Sequence, residues 1–378
     1  MAKTKENENK KKKKLVVKIV IYCLLILGLG LSLIWSNDLE LLFKLKPDTR
    51  PLEVMDDFQV HFIDVGQGDA IAMRFSNGKT MLVDSGPVKG ESNLKSYLNN
   101  VFFKDSEMVF DYVLLTHSDA DHCGNMTFVL HNYTVKTFYR PYIFNENEGS
   151  DEGLSLPTSK IELYTNVINT LKSNNIKTEF FKAGTQLDFG DGIVIDFYAP
   201  VNLSTTKTND FSPIMVVKDN GKLVCLTGDA SSDEETEAMT AYTLPDVDLL
   251  KLGHHGSKYS TSLVFLEQIQ PEYIVAQVGK NTYGHPSGDV LDRMEEYDSL
   301  YGKTTRSGFL NNLDDGNIIY HAVDGDDFKV VLISSMSNFV FMDWYMVVLI
   351  VGGIITVIIF FPKTKKYTKK KRKNKNTK

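Results

Sequence analysis

The segment 116–124 most constrains how this chain folds, because it places two imidazoles and two carboxylates within six residues. These side chains belong to His117, Asp119, Asp121 and His122. The segment follows residues 112–115, a short apolar run typical of a buried strand. Two carboxylates in one space repel each other, and each buried charge costs several kcal/mol unless it is paired or coordinated. A divalent cation relieves that cost, so the segment predicts a metal site. The alternative is a hydrated acidic loop with incidental histidines.

The amino-terminal end of the chain is unlike the middle. Residues 1–14 are rich in lysine, and residues 15–35 are apolar except for Lys18 and Ser32. This apolar run is long enough to cross a bilayer. A cleaved signal peptide is the alternative, but no small-x-small cleavage site follows Trp35, and the run exceeds the ~7–15 residues of a signal core. We predict a basic cytoplasmic tail at 1–14 and an uncleaved transmembrane helix at 15–35.

The carboxy-terminal end has the same organisation in reverse. Residues 344–361 are apolar or neutral on every side, with Trp344 and Tyr345 as interfacial anchors at one edge. A buried core helix is the alternative, but it fits poorly because no polar side contrasts with the apolar one. The tail at 362–378 is dominated by Lys and Arg. Because basic flanks stay in the cytoplasm, both termini are predicted on the cytoplasmic side of the cell membrane and the middle of the chain on the extracellular side.

Charge is divided unevenly between these regions. The whole chain carries −6, but the two ends hold 18 of its 42 basic residues and only 2 of its 48 acidic ones, which leaves −22 for residues 36–361. A domain that acidic repels polyanions over most of its surface. It still has room for a local basic groove or a metal-bound phosphate. Cys123 and Cys225 fall in this region, and their pairing is left open.

The middle of the chain is predicted to be a linker at 36–57 and one globular domain at 58–334. About 280 residues are enough to bury a full core as one domain. Alternating apolar runs and Asn-Gly turns predict mostly antiparallel strands, with helices between groups of strands. This pattern is typical of two sheets with helices outside, an α+β fold. The sequence contains no GxxxxGK[ST] phosphate loop and no GxSxG elbow, which argues against P-loop and serine-hydrolase chemistry.

Five short motifs follow one another in order through this domain. They are Asp64-Val65-Gly66-Gln67-Gly68-Asp69, Val83-Asp84-Ser85-Gly86, His117-x-Asp119-x-Asp121-His122, Thr227-Gly228-Asp229-Ala230 and His254-His255-Gly256-Ser257. The set resembles the metallo-β-lactamase superfamily, most closely the extracellular hydrolase domain of ComEC-type DNA-uptake proteins. Gly284-His285-Pro286 and Asn209-Asp210-Phe211-Ser212 also match that subgroup. The resemblance covers about residues 58–333 and implies an αββα sandwich with a metal site at one edge.

The resemblance also implies a ligand set for one or two divalent ions, zinc or manganese. His117 and Asp119 would hold one metal, Asp121 and His122 a second, and Asp229 would bridge them. One of His254 and His255 would complete the second site. His255 is preferred because it directly precedes glycine, and His254 would then lie behind it or face substrate.

Two departures from the superfamily pattern bear on the number of metals. Asp119 stands where the usual motif has histidine, a variant that the subgroup shares. The only histidine between this cluster and Asp229 is His131, which is expected on the surface of a helix. The first metal would then have fewer protein ligands. The site would be mononuclear, or dinuclear with water in the remaining positions.

Other residues of the motifs have supporting roles in this interpretation. Asp121 is expected to orient a metal-bound hydroxide, and His285 to contact substrate or protonate the leaving oxygen, against the alternative of a structural turn histidine. Asp64 and Asp84 are expected to support the ligand loops by hydrogen bonds. Ser257 and Lys258 would bind a phosphate oxygen or remain solvated.

Together these features predict a membrane-anchored, outward-facing, metal-dependent phosphodiesterase acting on DNA or on a wall polymer. A cell-wall phosphoester hydrolase resembling phosphorylcholine esterases is an alternative within the same chemistry. A non-catalytic interaction domain stabilised by its metal is an alternative outside it. No specific protein partner follows from the sequence.

Overall fold

Two β-sheets packed face to face form the centre of the protein. The computed structural model describes residues 57–333 except 105, 151 and 323–326. All of these belong to one unit, Asp48–Ser335. The predicted membrane spans at 15–35 and 344–361 and both basic tails lie outside the described residues, and so does nearly all of the linker. Among the helices that are described, none has the length and apolar character of a membrane span.

The strands are, in chain order, β1 (Phe58–Phe62), β2 (Ile71–Arg74), β3 (Thr80–Val83), β4 (Val109–Leu114), β5 (Thr134–Arg140), β6 (Ile143–Asn145), β7 (Leu154–Leu156), β8 (Lys177–Phe180), β9 (Gln186–Gly190), β10 (Ile193–Phe197), β11 (Met215–Asp219), β12 (Lys222–Leu226), β13 (Leu249–Lys251), β14 (Tyr273–Ala276), β15 (Leu310–Asn311), β16 (Asn317–Ala322) and β17 (Lys329–Ile333). The first sheet has the order β17-β16-β1-β2-β3-β4-β5-β8, and the second β15-β14-β13-β12-β11-β10-β9. Strands β6 and β7 form a separate parallel pair.

The helices are α1 (Glu91–Tyr97), α2 (Ala120–Cys123), α3 (Met126–Asn132), α4 (Glu162–Ser173), α5 (Ser232–Ala241), α6 (Leu263–Ile269), α7 (Gly288–Tyr301) and α8 (Asn312–Asp315). Short 3-10 turns occupy Val88–Gly90, Thr158–Lys160, Asn209–Phe211 and Gly253–Gly256, and a π-helical turn occupies Leu98–Phe102. Helices α1, α3 and α4 pack on the outer face of the first sheet, and α5, α6 and α7 on that of the second.

Apolar side chains fill the space between the sheets and the space under each helical layer. In β1, Phe58, Val60 and Phe62 enter the core between the sheets. His61 points the other way and contacts Tyr97 of α1, as the two-residue period of a strand requires. The predicted αββα sandwich is therefore confirmed.

Both sheets are antiparallel in one part and parallel in the other. In the first sheet the strands β3, β4, β5 and β8 run parallel, and in the second β12, β13, β14 and β15 do. The prediction of mostly antiparallel strands missed how large the parallel parts are. Loops at the carboxyl ends of parallel strands lie at one edge of a sheet, where α/β folds commonly bind ligands. The loops after β1, β3, β4, β12, β13 and β14 carry the sequence motifs and meet at this edge.

Candidate metal centre

His122 lies in the middle of the cluster and is fixed from behind by Asp84. It is fully buried on α2, and its Nδ1 donates to Asp84 Oδ2 at 2.7 Å. Asp84 also accepts from the backbone N and from Oγ1 of Thr116, at 2.8 and 2.7 Å. Because a carboxylate only accepts, the proton of the neutral ring stays on Nδ1 and the lone pair of Nε2 faces the cluster.

His117 is positioned by two hydroxyl groups. Its Nδ1 lies 3.0 Å from Thr116 Oγ1 and 3.3 Å from Ser212 Oγ. The Ser212 hydroxyl also accepts the backbone N–H of Asp229, at 3.0 Å. One serine on the loop before β11 therefore links two loops that carry predicted ligands.

Asp229, on the loop after β12, occupies the centre of the cluster. It is 3 % exposed, and its carboxylate oxygens lie 3.2 Å from Nε2 of His122 and 3.9 Å from Nε2 of His117. The same carboxylate is 3.7 Å from Nε2 of His255 and 3.5 Å from that of His254. All four predicted histidine ligands thus surround one carboxylate.

The two adjacent histidines after β13 have different surroundings. Both have left-handed backbones, with φ of +47° at His254 and +55° at His255, and their ring planes are tilted by 72° to each other. His255 is buried, with Nδ1 donating to the Gln277 carbonyl at 2.8 Å and Nε2 3.4 Å from Asp121 Oδ2. The His254 side chain is 33 % exposed. His255 belongs to the groups of ligand atoms that lie close together, which favours it as the ligand, and the partly exposed His254 lies at the rim of the cluster.

Asp119 and Asp121 line the open side of the cluster. Their side chains are 40 % and 37 % exposed, and Asp119 Oδ2 lies 3.9 Å from His117 Nε2. They also line a cleft of about 670 Å³ beside the cluster. Its other polar side chains are those of Ser118, Ser159, Lys160, Glu162, Thr206, Lys207 and Thr208. A bound cation would therefore be open to a ligand from this side.

Whether the residues fit a metal is decided by the atoms left without partners. The inward Nε2 atoms of His117, His122 and His255 and Oδ1 of Asp229 are buried and make no hydrogen bond within the described structure. Leaving such atoms unpaired is costly unless something binds them. His117, His122 and Asp229 form one group whose ligand atoms lie within 4.8 Å of one another, and Asp121, His122 and His255 form a second. The donors fit one or two divalent ions.

Electrostatics in the cluster favour added positive charge. Burial opposes an imidazolium at His122, but the carboxylates of Asp229 and Asp84 outweigh burial and raise its pKa well above the usual value. Burial likewise opposes charge on His255, yet Asp229 and Asp69 raise its pKa to about 10. In the metal-free protein, the raised pKa values favour binding of a proton by His122 and His255. These protons would compete with a metal for the two imidazoles.

Sequence reasoning missed one pair of functional groups, Asp69 and Lys251. Both are buried, and Lys251 Nζ lies 2.6 Å from Asp69 Oδ2. Oδ1 of Asp69 lies 3.2 Å from Nδ1 of His255, and the lysine also donates to the carbonyls of Gly228 and Leu252, at 3.2 and 3.0 Å. The available signal was a lone lysine in an apolar strand directly before the His-His turn, because a buried charge requires a partner.

The structure places other predicted site residues around the cluster, outside its ligand atoms. Asp64 accepts from the backbone N of Gly66 at 3.1 Å and so supports its own loop. Ser257 is buried and accepts from Tyr259 N, whereas the Lys258 ammonium lies 5.0 Å from the Tyr259 ring centroid. The His285 ring contacts that of His254, with 5.6 Å between centroids.

Three further side chains stand apart from the ligand set. His131 is exposed on α3, as expected from the sequence. Cys123 and Cys225 are buried free thiols, so the disulfide that the sequence left open is not formed.

The fold and the site together define a class of protein. It is an αββα sandwich with a histidine and aspartate cluster at the edge where the parallel strands end. The chain belongs to the metallo-β-lactamase superfamily, whose family model matches residues 63–278. The match spans more than half of the chain and confirms the family that the motifs predict.

Two relatives show which members of the superfamily this chain resembles. ComE operon protein 3 of Bacillus subtilis (strain 168) is 28% identical over 270 residues, which are 67% of this chain and 32% of that protein. Recombination protein 2 of Haemophilus influenzae is 29% identical over 252 residues, 66% of this chain and 28% of that protein. These matches confirm the likeness to ComEC-type competence proteins. The chain spans about a third of the length of the relatives it matches.

A solved structure with a similar fold is the metallo-beta-lactamase fold protein YhfI from Bacillus subtilis. It is 14% identical in sequence, has a TM-score of 0.44, and covers 70% of this chain and 100% of its own.

Proposed function

We propose that this protein is a metal-dependent phosphodiesterase, anchored in the cell membrane with its catalytic domain outside. The observation that carries the hydrolase assignment is the set of buried, unpartnered nitrogen and oxygen atoms beside an open cleft. A metal that only stabilised the fold would be expected to have a closed ligand shell, whereas hydrolytic sites keep a position open.

Six side chains would hold the metal. They are His117, Asp119, Asp121, His122, Asp229 and His255. Zinc or manganese suits these nitrogen and oxygen donors. When bound, such ions supply water of lowered pKa and polarise a phosphoryl oxygen.

Asp121 is the residue best placed to orient the attacking water. Burial would raise its pKa, but the His255 imidazole at 3.4 Å and the positive charge of His122 hold its pKa far below the usual value. It therefore stays a carboxylate that accepts a hydrogen bond from water in the cleft and so orients it. Its partial exposure leaves room for that water.

His285 has surroundings that favour a neutral ring. Burial, followed by the neighbouring charges of His254 and His255, lowers its pKa below the usual value. A neutral imidazole is a weak acid at neutral pH, so donating a hydrogen bond to a substrate oxygen suits His285 better than protonating the leaving group. Its role is thus to position the substrate.

The substrate is best interpreted as a nucleic-acid phosphodiester. Lys160 and Lys207 line the cleft beside Asp119 and Asp121, and they supply the local positive charge that phosphate requires on an acidic domain. The name of Recombination protein 2 refers to recombination, a process of DNA, and this supports DNA over a wall polymer as the substrate.

Turnover of bis(4-nitrophenyl) phosphate with added manganese or zinc tests the chemistry. The wild-type protein is expected to hydrolyse it only with metal, and Asp121→Asn to lose at least about a hundredfold in rate. Asp188→Asn, at an exposed position on β9, is the matched control and should behave as wild type. No turnover by a folded, metal-loaded protein would refute the proposal in favour of a metal-stabilised interaction domain.

The membrane topology rests on the two apolar segments and their basic flanks. Protease added to intact cells is expected to digest the domain and to leave a cytoplasmic marker untouched. Protection of the domain until the cells are permeabilised would refute the outward orientation.

A further inference from the structure

Two tyrosines beside the metal centre are unusually exposed. Among the described residues, Tyr283 and Tyr259 are the most exposed of the large apolar and aromatic side chains, at 75 % and 66 %. Tyr259 follows the His254–His255 turn, and Tyr283 lies on the loop after β14. Exposed aromatic rings that gather at one functional edge are typical of binding surfaces.

The loop that carries Tyr283 is held in one conformation by Asn281. The side-chain oxygen of Asn281 accepts from the backbone N–H groups of Tyr283, Gly284 and His285, at 3.0, 2.9 and 3.1 Å. Its side-chain nitrogen donates to the carbonyls of Gly279 and His285, at 3.0 and 2.8 Å. These five bonds present the tyrosine on a prearranged loop, so its ring loses little freedom when it binds a ligand.

The loop that carries Tyr259 is fixed in the same manner. The Arg293 guanidinium of α7 donates to the carbonyls of Lys258, Ser260 and Thr261 at 3.2, 2.8 and 3.1 Å. The two loops also contact each other, because the backbone N of Ser287 donates to the Gly256 carbonyl at 2.8 Å.

A row of rings connects Tyr283 with the metal centre. The ring centroids of Tyr283 and His285 are 5.8 Å apart with a tilt of 33°. Those of His285 and His254 are 5.6 Å apart and nearly perpendicular, and His254 Nε2 lies 3.5 Å from the central Asp229 carboxylate. Tyr283 therefore lies two ring spacings from His254, and a ring that stacks on Tyr283 would lie one spacing further from the hydrolytic centre.

We propose that Tyr283, supported by His285, is a stacking surface for an unpaired base of a single-stranded nucleic acid, on the same strand as the phosphodiester that is cleaved. Every base has a flat face that stacks on an aromatic ring without regard to sequence, and base pairing in a duplex would hide that face. This inference rests on the proposed function, because the stacked base belongs to the substrate of the same centre.

The test measures binding separately from turnover. The full-length protein with Asp121→Asn is mixed with manganese and a fluorescent oligothymidylate, or with an abasic oligomer of equal length, and anisotropy gives Kd. Oligothymidylate should bind more tightly. Tyr283→Ala should weaken its binding between about fivefold and about 150-fold, with a much smaller change for the abasic oligomer. Tyr283→Phe keeps the ring and should stay within about twofold of the parent.

The matched control is Tyr301→Ala. Tyr301 is also an exposed tyrosine, but it lies at the far end of α7, about 20 Å along that helix from the Tyr283 loop. Its substitution should not change binding of either oligomer.

Several results would overturn the inference. These are equal affinity for the two oligomers, no binding of either, an equal loss on both in Tyr283→Ala, or no loss at all. Tighter, Tyr283-dependent binding of a hexose-bearing glycerol-phosphate oligomer would assign the surface to a wall polymer instead. Turnover of bis(4-nitrophenyl) phosphate by the wild-type protein is measured in parallel. If binding depends on the bases but no turnover is seen, the hydrolase proposal is refuted and the stacking surface is not.

Discussion

Replacing Lys251 with methionine tests whether the buried ion pair with Asp69 stabilises the fold beneath the candidate metal centre. Methionine is similar in length but carries no charge and no donor, so the change removes the contact at 2.6 Å and both bonds to backbone carbonyls. Asp69, which is 1 % exposed, is then left as a buried carboxylate beside His255 without its strongest partner.

The expected magnitude follows from that burial. Removing one partner of a buried ion pair costs about 3–5 kcal/mol, because the other charge stays desolvated and uncompensated. Domains are commonly stable by only about 5–15 kcal/mol, so this is a large share of the total. For a domain of this size it corresponds to a fall in Tm of roughly 6–20 °C.

Urea unfolding of metal-free Asp48–Ser335, followed by circular dichroism, measures this loss. Lys218→Met makes the same substitution at an exposed site on β11 and should change stability by less than about 0.5 kcal/mol. Adding Asp69→Asn to the Lys251 variant should recover part of the loss, because it removes the uncompensated charge. A Lys251 variant within about 1 kcal/mol of wild type, or a double variant no better than the single one, would refute the reasoning.

Three further changes test other parts of the structure. His117→Ala should lower zinc affinity at least about tenfold by calorimetry, while His131→Ala on the surface of α3 should not. Burial lowers the pKa of His61 to about 3, so the unfolded chain binds a proton at a higher pH than the folded protein does. The free energy of unfolding should therefore fall by about 2 kcal/mol between pH 6.5 and pH 5. Acid unfolding curves measure this fall, and His61→Gln should remove it. At Gly68, where φ is +147°, an alanine Cβ would collide with the Asp121 carbonyl. Gly68→Ala should therefore lower the stability measured in thermal melts by about 1–3 kcal/mol, and an unchanged melt would contradict this collision.

Much of the candidate site is predictable because its residues are adjacent in the chain. His117, Asp119, Asp121 and His122 share one loop, and a short loop after a buried strand leaves few ways to separate them. The hairpin turns were predictable for the same local reason, since each has an Asn-Gly pair, and Gly78, Asn220 and Gly221 adopt the positive φ that tight turns need. The order of the motifs then identified the family and, through it, the sandwich.

Local patterns failed where burial is decided by distant parts of the chain. Helix α6 has only seven residues, which is too short for a clear apolar period, and β5 alternates but lacks a turn signal before it. The size of the parallel parts was underestimated because strand direction depends on how each connection crosses the sheet.

The sequence by itself determined the loop rich in histidine and aspartate, the family and the αββα architecture, because these follow from adjacent residues and from motifs in order. Only the tertiary structure decided which side chains are buried together. It placed Lys251 against Asp69, His255 inside the cluster with the partly exposed His254 at its rim, and Tyr283 exposed beside them. The physical reason is that the stability of a buried charge or ring depends on the residues that surround it in space, and those residues come from other strands of both sheets.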